Sequence, residues 1–181
     1  MEEKINIAEI LKNKPKGTKL YADAFGELSI EDIYAEGKDE LGITLSSKDG
    51  DELLFYNNGK YNIYGEPILV PSKSMHDWSK FAWKKGDVLV GVGQRIIFEK
   101  FIDENYTKFQ GKYSLSTYED RTLVADKRCY TSDFRKLDDN VNVKNYFKEI
   151  EEKLGGKLNR ETLEVEKAQP EFKDGDIVCE M

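Results

Sequence analysis

KGDVLV at residues 85–90 has two echoes in the chain, KGTKLY at 16–21 and KDGDIV at 173–178, the last one residue longer before its glycine. Each places a basic residue, a turn glycine and a polar residue ahead of a short apolar run. Glycine supplies the positive φ that a tight turn needs, and the run behind it has the content of a strand. The first two copies continue alike. Phe25-Gly26-Glu27-Leu28-Ser29-Ile30 parallels Val92-Gly93-Gln94-Arg95-Ile96-Ile97-Phe98, a glycine-marked hairpin into a second strand. Self-similarity at long spacing predicts a duplicated unit.

Upstream of the first copy, Asn6 to Asn13 predicts a short helix. Ile7, Ile10 and Leu11 share a face, Asn6 caps it, and Pro15 forbids continuation. Beyond it the period becomes two. Leu41, Ile43 and Leu45 alternate with polar or small residues, and Asp49-Gly50 turns into Leu53-Leu54-Phe55-Tyr56. Asn57-Asn58-Gly59 makes another turn, and Ile68-Leu69-Val70 is a short strand between Pro67 and Pro71. The segment from Pro71 to Lys84 is irregular and reads as the connection between two β-units.

In the second unit strands are expected over 87–92, 94–101, 105–117 and 121–126, with a further one at 129–134. A helix is expected over 143–154, capped by Asp139 or Asn142. Its stripe is Val143, Tyr146, Phe147, Ile150 and Leu154, and Gly155-Gly156 ends it. A hairpin from Lys157-Leu158 to Thr162–Glu166 follows, suited to covering an open face or edge. The third copy leaves one strand, 176–180, to pair on a sheet edge in cis or in trans.

The lysine-glycine-aspartate opening resembles the first hairpin of SH3-like small β-barrels. That resemblance implies a mainly β chain with two tandem SH3-like units, at 1–80 and 81–140, and a helix–hairpin element at 141–181. The stretches PKGTKLYADAFGEL from Pro15, GEPILVPSKSMHDWSKF, KKGDVLV and YFKEIEEKLGGKLNRETLEVEK also resemble a group of conserved bacterial and bacteriophage proteins. This likeness covers nearly the full length. It implies a recurring module in a phage-associated setting, and it transfers no activity, cofactor or catalytic residue.

Composition narrows the function classes. Charged residues are 35% and apolar ones 39%, but aromatics at 12% argue for a packed chain. The net charge of −7 repels phosphate. It is uneven: residues 1–80 hold 10 basic against 15 acidic groups, 81–140 hold 11 against 10, and 141–181 hold 7 against 10. Only in the middle segment does that repulsion weaken. Cys129 and Cys179 lack metal-type neighbours and read as free thiols of a reducing cytoplasm. No apolar run is long enough to span a membrane, and the N-terminus does not read as a signal peptide.

No catalytic set emerges, and neither a metal nor a cofactor is expected. Gly91-Val92-Gly93 leads into a strand, not a helix, so it reads as a turn and not a dinucleotide fingerprint. His76 is the single histidine, leaving a Cys–His pair with Cys129 as the one nucleophilic option. Glu31-Asp32, Asp39-Glu40, Asp51-Glu52, Asp103-Glu104 and Glu119-Asp120 read as solvated loop charges.

Aromatics carry the binding expectation. Tyr56, Tyr61, Tyr64, Trp78 and Trp83 are more rings than a thin barrel core can hold, so they predict a surface for an unidentified protein partner. The same rings would equally fasten the two units together. The alternative is nucleic acid held by Lys84, Lys85, Arg95 and Lys100 beside Trp83, Phe98 and Phe101. Lys12, Lys14, Lys16 and Lys19 form another basic patch. The sequence leaves the oligomeric state open.

Overall fold

The computed structural model describes residues 6–37, 40–118 and 120–167. The first sheet is an antiparallel meander of β1 (Lys19–Ala22), β2 (Gly26–Ile33), β3 (Ile43–Ser47) and β4 (Glu52–Phe55), in that order. The second contains β5 (Val88–Gly91), β6 (Gln94–Phe101), β7 (Lys108–Ser116), β8 (Leu123–Tyr130) and the two-residue β9 (Arg135–Lys136). Its order is β8-β7-β6-β5-β9, so β9 returns to the outer side of β5. A 3-10 turn, Thr131–Asp133, precedes that return.

The glycine-headed openings do the same local work in the two sheets. Gly17 has φ 89° and Gly86 φ 99°. The Gly17 N–H donates to Ile30 O at 2.8 Å, and the Gly86 N–H to Phe98 O at 2.9 Å. In return Ile30 N donates to Thr18 O and Phe98 N to Asp87 O. A register shift then follows in each second strand, between Ile30 and Asp32 and between Phe98 and Lys100. Such bulges bend a strand and re-aim its side chains. Outside β1, Val70 bridges Tyr21, as Arg135 pairs with Val90 outside β5.

Neither sheet closes into a barrel, which corrects the expectation of closed units. In the first, the expected strand at Ile68-Leu69-Val70 contributes a single bridge, because the flanking prolines cannot donate to a ladder. In the second, β9 is too short to close the sheet, and among the described residues β8 pairs only with β7. Of the strands expected at 121–126 and 129–134, the first is extended to Tyr130 as β8, and the second is replaced beyond Tyr130 by the 3-10 turn at Thr131–Asp133.

Three helices complete the description. In α1 (Ile7–Leu11) the Asn6 side chain accepts from Glu9 N. In α2 (Trp78–Phe81) Asp77 accepts from Ser79 N and Lys80 N. Both pack into the first core with Leu20, Leu28, Ile43, Leu45 and Phe55. The longest, α3 (Asn140–Leu154), is capped by Asp139 and ends at Gly155 in the left-handed region, φ 72°. Its Tyr146, Phe147 and Ile150 cover Val88, Ile97 and Leu115 on one face of the second sheet. The opposite face buries Leu89, Ile96, Phe98, Phe109 and Phe134 around Trp83. A small hairpin of β10 (Gly156–Leu158) and β11 (Val165–Lys167) follows. The third copy at 173–178 and the strand expected at 176–180 lie outside the described residues.

The two sheets are joined by a continuous series of rings. Trp78 meets Phe81 edge-on, Phe81 stacks with Phe101 at 6.2 Å, and Phe101 stacks with Trp83 at 6.3 Å. Tyr106 closes the set, 4.8 Å from Phe81 and 5.4 Å from Phe101. Aromatic pairs of this geometry add about 0.5–1.5 kcal/mol each beyond their burial. Polar bonds reinforce the joint: Ser72 Oγ donates to Asn105 O at 2.6 Å and Lys80 Nζ to Thr131 O at 3.2 Å.

Candidate functional site

The five aromatics singled out in the sequence do not share one surface. Trp78 and Trp83 are interior, at 8% and 2% exposure. The Trp78 indole N–H donates to Leu69 O inside the first core. Their rings fasten the halves together, which is the other role the sequence allowed them.

The tyrosines have a different setting. Tyr61 packs on Phe25 at 4.8 Å and on Phe55 at 5.3 Å, yet it is 45% exposed. Tyr64, on the same loop, is 96% exposed. With Tyr56 half-buried, this loop and β4 border a shallow cavity of about 480 Å³, whose walls include Leu41, Leu54, Tyr56, Tyr61 and Ile63. Leu41, Leu54 and Ile63 are all exposed as well. Scattered apolar residues are ordinary on a surface; here Leu41, Leu54, Tyr61 and Ile63 border one cavity.

Backbone geometry adds to it. Among the described residues β4 is the last strand of its sheet and pairs only with β3. The bond from Ser47 N to Asp51 O sets the ladder's alternation, so the amides of Glu52 and Leu54 face away from β3. Past them the edge is covered, because Tyr56 N donates to Lys60 O in its own turn. An open edge beside exposed apolar side chains is suited to taking an added strand.

Asn57 holds this region in shape, and sequence reasoning read it only as a turn residue. It is fully buried. Its Nδ2 donates to the carbonyls of Tyr34, Glu36 and Gly37, at 3.1, 3.3 and 2.6 Å. Its own carbonyl accepts from Ile7 N and Ala8 N, satisfying the first turn of α1. The only signal was its place between Tyr56 and Gly59, since a side-chain amide can mimic backbone at a turn.

The basic residues divide. Lys84, Lys85 and Lys100 line a second cavity, of about 610 Å³, together with Lys14. Arg95 is not among them. It faces α3, where its charge acts on the Tyr146 phenol, and its Nε is buried with no hydrogen-bond partner among the described residues. Of the N-terminal patch, Lys12 pairs with Glu9, Lys16 with Glu31 at 3.1 Å and Lys19 with Glu27 at 3.5 Å. Lys14 instead sits half-buried with Nζ 4.4 Å over the Phe81 ring. Burial, and then the charge of Lys84, hold its ammonium below the usual lysine pKa.

The remaining candidates stay apart. The His76 ring donates from Nε2 to Lys73 O on the surface, while the Cys129 thiol lies in the second core, its pKa pushed up by burial. Glu31 accepts from Ser46 Oγ, and Asp103 from Lys108 N. Among the described residues no group of three or more His, Cys, Asp or Glu is placed to hold a metal ion, and no helix is long and apolar enough to cross a membrane. Set against protein-family models, curated proteins and solved structures, the chain matches none of them.

Proposed function

We propose that this chain is a non-catalytic binding protein that takes an extended segment of a protein partner along the free edge of β4. Its two halves are SH3-like units in tandem. Support for that architecture is the matched bonding of Gly17 and Gly86, the matched bulges, and the return of Val70 and of β9 to the outer side of each first strand. The observation that carries the binding reading is the conjunction at β4: outward amides of Glu52 and Leu54 lie beside exposed Leu41, Leu54, Tyr61 and Ile63. Main-chain bonds to such an edge give affinity, and the side chains beside it select alternate residues of the bound segment. Tyr61, anchored on Phe25 and Phe55, is a rigid apolar contact of the kind that dominates interfaces.

A displayed library of random dodecapeptides, selected on the full chain, tests this. Selected peptides rich in alternating apolar residues should bind the native chain and lose at least tenfold on Leu54→Glu or Tyr61→Ala. Selected binders indifferent to both substitutions would overturn the assignment.

A further inference from the structure

The second cavity shares no lining residue with the tyrosine face, and its chemistry is different. It lies where α1, the segment after α2 and β6 meet. We propose that this groove binds a phosphate-bearing ligand, held by Lys14, Lys84, Lys85 and Lys100 against an apolar wall of Ile10 and Phe101. This goes beyond the β4 reading and does not depend on it.

Charge is the first argument. The chain as a whole carries −7, yet the acids lining the groove with these four lysines are Glu9 and Glu99, while Asp87 accepts from the Lys84 backbone N–H beside it. Glu9 is itself taken by Lys12. Among the described residues none of the four lysines forms an ion pair. An uncompensated cluster concentrates anions at its mouth. Lys14 sharpens the point. Its ammonium is half-buried over Phe81, 6.0 Å from the Phe101 centroid, with a like charge nearby. A bound anion relieves both its desolvation and that repulsion.

Size and residue type choose the anion. About 610 Å³ falls in the range of small-molecule sites and holds a ligand of nucleotide dimensions. Lysine binds phosphate as a point charge, and the near-double charge of a phosphate monoester matches a cluster of ammonium groups better than the single charge of a carboxylate. Trp83 and Phe98 are buried, at 2% and 3% exposure, so neither offers a face for a base to stack on. Recognition therefore rests on phosphate, with the apolar side chains of Ile10, Ala82 and Phe101 for whatever the phosphate carries.

Titrating the full chain at low salt with inorganic pyrophosphate and with 5′-phosphorylated oligothymidylate of eight residues tests the site. Binding of at least one probe is expected. It should weaken tenfold or more in Lys14→Gln/Lys84→Gln and stay within twofold in Lys157→Gln. For the oligonucleotide, each lysine removed should lower the log–log salt slope by about 0.7. Tighter binding of the oligonucleotide assigns the phosphate to a nucleic-acid strand, and tighter binding of pyrophosphate assigns it to a small ligand. Should the Lys14 variant fail to fold, Lys84→Gln/Lys100→Gln carries the same expectation, because both side chains are exposed. No binding of either probe, binding unaffected by these substitutions, or equal binding of polyglutamate would overturn the proposal.

Discussion

The Tyr106 hydroxyl donates to the Lys19 carbonyl at 2.6 Å, tying the β6–β7 loop to β1 across the junction of the two sheets. The ring also packs on Phe81 and Phe101, while the bond itself lies at the exposed rim of the junction. Tyr106→Phe keeps the ring and removes the donor. It should cost about 0.5–1.5 kcal/mol of unfolding free energy, the usual net contribution of one hydrogen bond.

The same residue gives the account a pH signature. Burial pushes the Tyr106 phenol from 10.0 up to about 12. A raised folded-state value means the native state holds its proton longer than the unfolded chain. The contribution is complete below about pH 10 and is lost as pH rises from 10 towards 12. Urea titrations between pH 8 and 11.5 should show native stability falling more steeply than that of Tyr106→Phe. Identical slopes would remove Tyr106 as the titrating group. Tyr146, raised by burial in α3, titrates in both proteins and cancels in the comparison.

Asn57 offers a sharper substitution. Asn57→Asp is nearly isosteric, but it sets an acceptor-only carboxylate against the carbonyls of Tyr34, Glu36 and Gly37. A loss of about 3 kcal/mol or more is expected at neutral pH, since a buried unpaired charge and orphaned acceptors add. The loss should shrink as pH falls and the carboxyl regains a proton. A mild, pH-independent effect measured by thermal unfolding would contradict the buried geometry.

Trp78→Ala and Trp83→Ala should act on folding and not on an interface. Both rings are interior, and large-to-small changes at such sites cost about 3–5 kcal/mol. Loss of partner binding in a Trp83→Ala protein whose unfolding midpoint is native would place that ring at a surface instead.

The β5–β6 turn predicts a gain. Val92 and Gly93 have φ 41° and 70°, the positive pair of a type I′ turn, and Val92 is 70% exposed. A β-branched residue is disfavoured there, whereas asparagine tolerates it. Val92→Asn should raise stability by about 0.5–1 kcal/mol, read from the urea midpoint. Gly91→Ala should fail, because its Cβ would fall 1.9 Å from Asp133 O.

Local signals carried much of this fold into the sequence. The turn glycines at 17 and 86, the Asn6 and Asp139 caps and the Gly155 stop are each decided by a residue's own backbone chemistry. Long-range facts were not legible. Nothing local distinguishes the buried Trp83 from the exposed Tyr64, because burial depends on which sheet meets which. Arg95 looked like a neighbour of Lys84, Lys85 and Lys100, but strand alternation and a bulge between Arg95 and Ile97 carry it to the α3 side. The groove joins Lys14 to Lys84 across a long stretch of sequence, and no spacing rule reaches that far. Asn57 was hidden for the opposite reason, since asparagine in a turn is so ordinary that its buried role leaves no mark.

Amide hydrogen exchange on the full chain, with and without a library-selected peptide, tests the β4 proposal most directly. New protection is expected at the Glu52 and Leu54 amides, with no change in β8 and loss of that protection in Leu54→Glu. A peptide that binds tightly while leaving those two amides exchanging as before would contradict it.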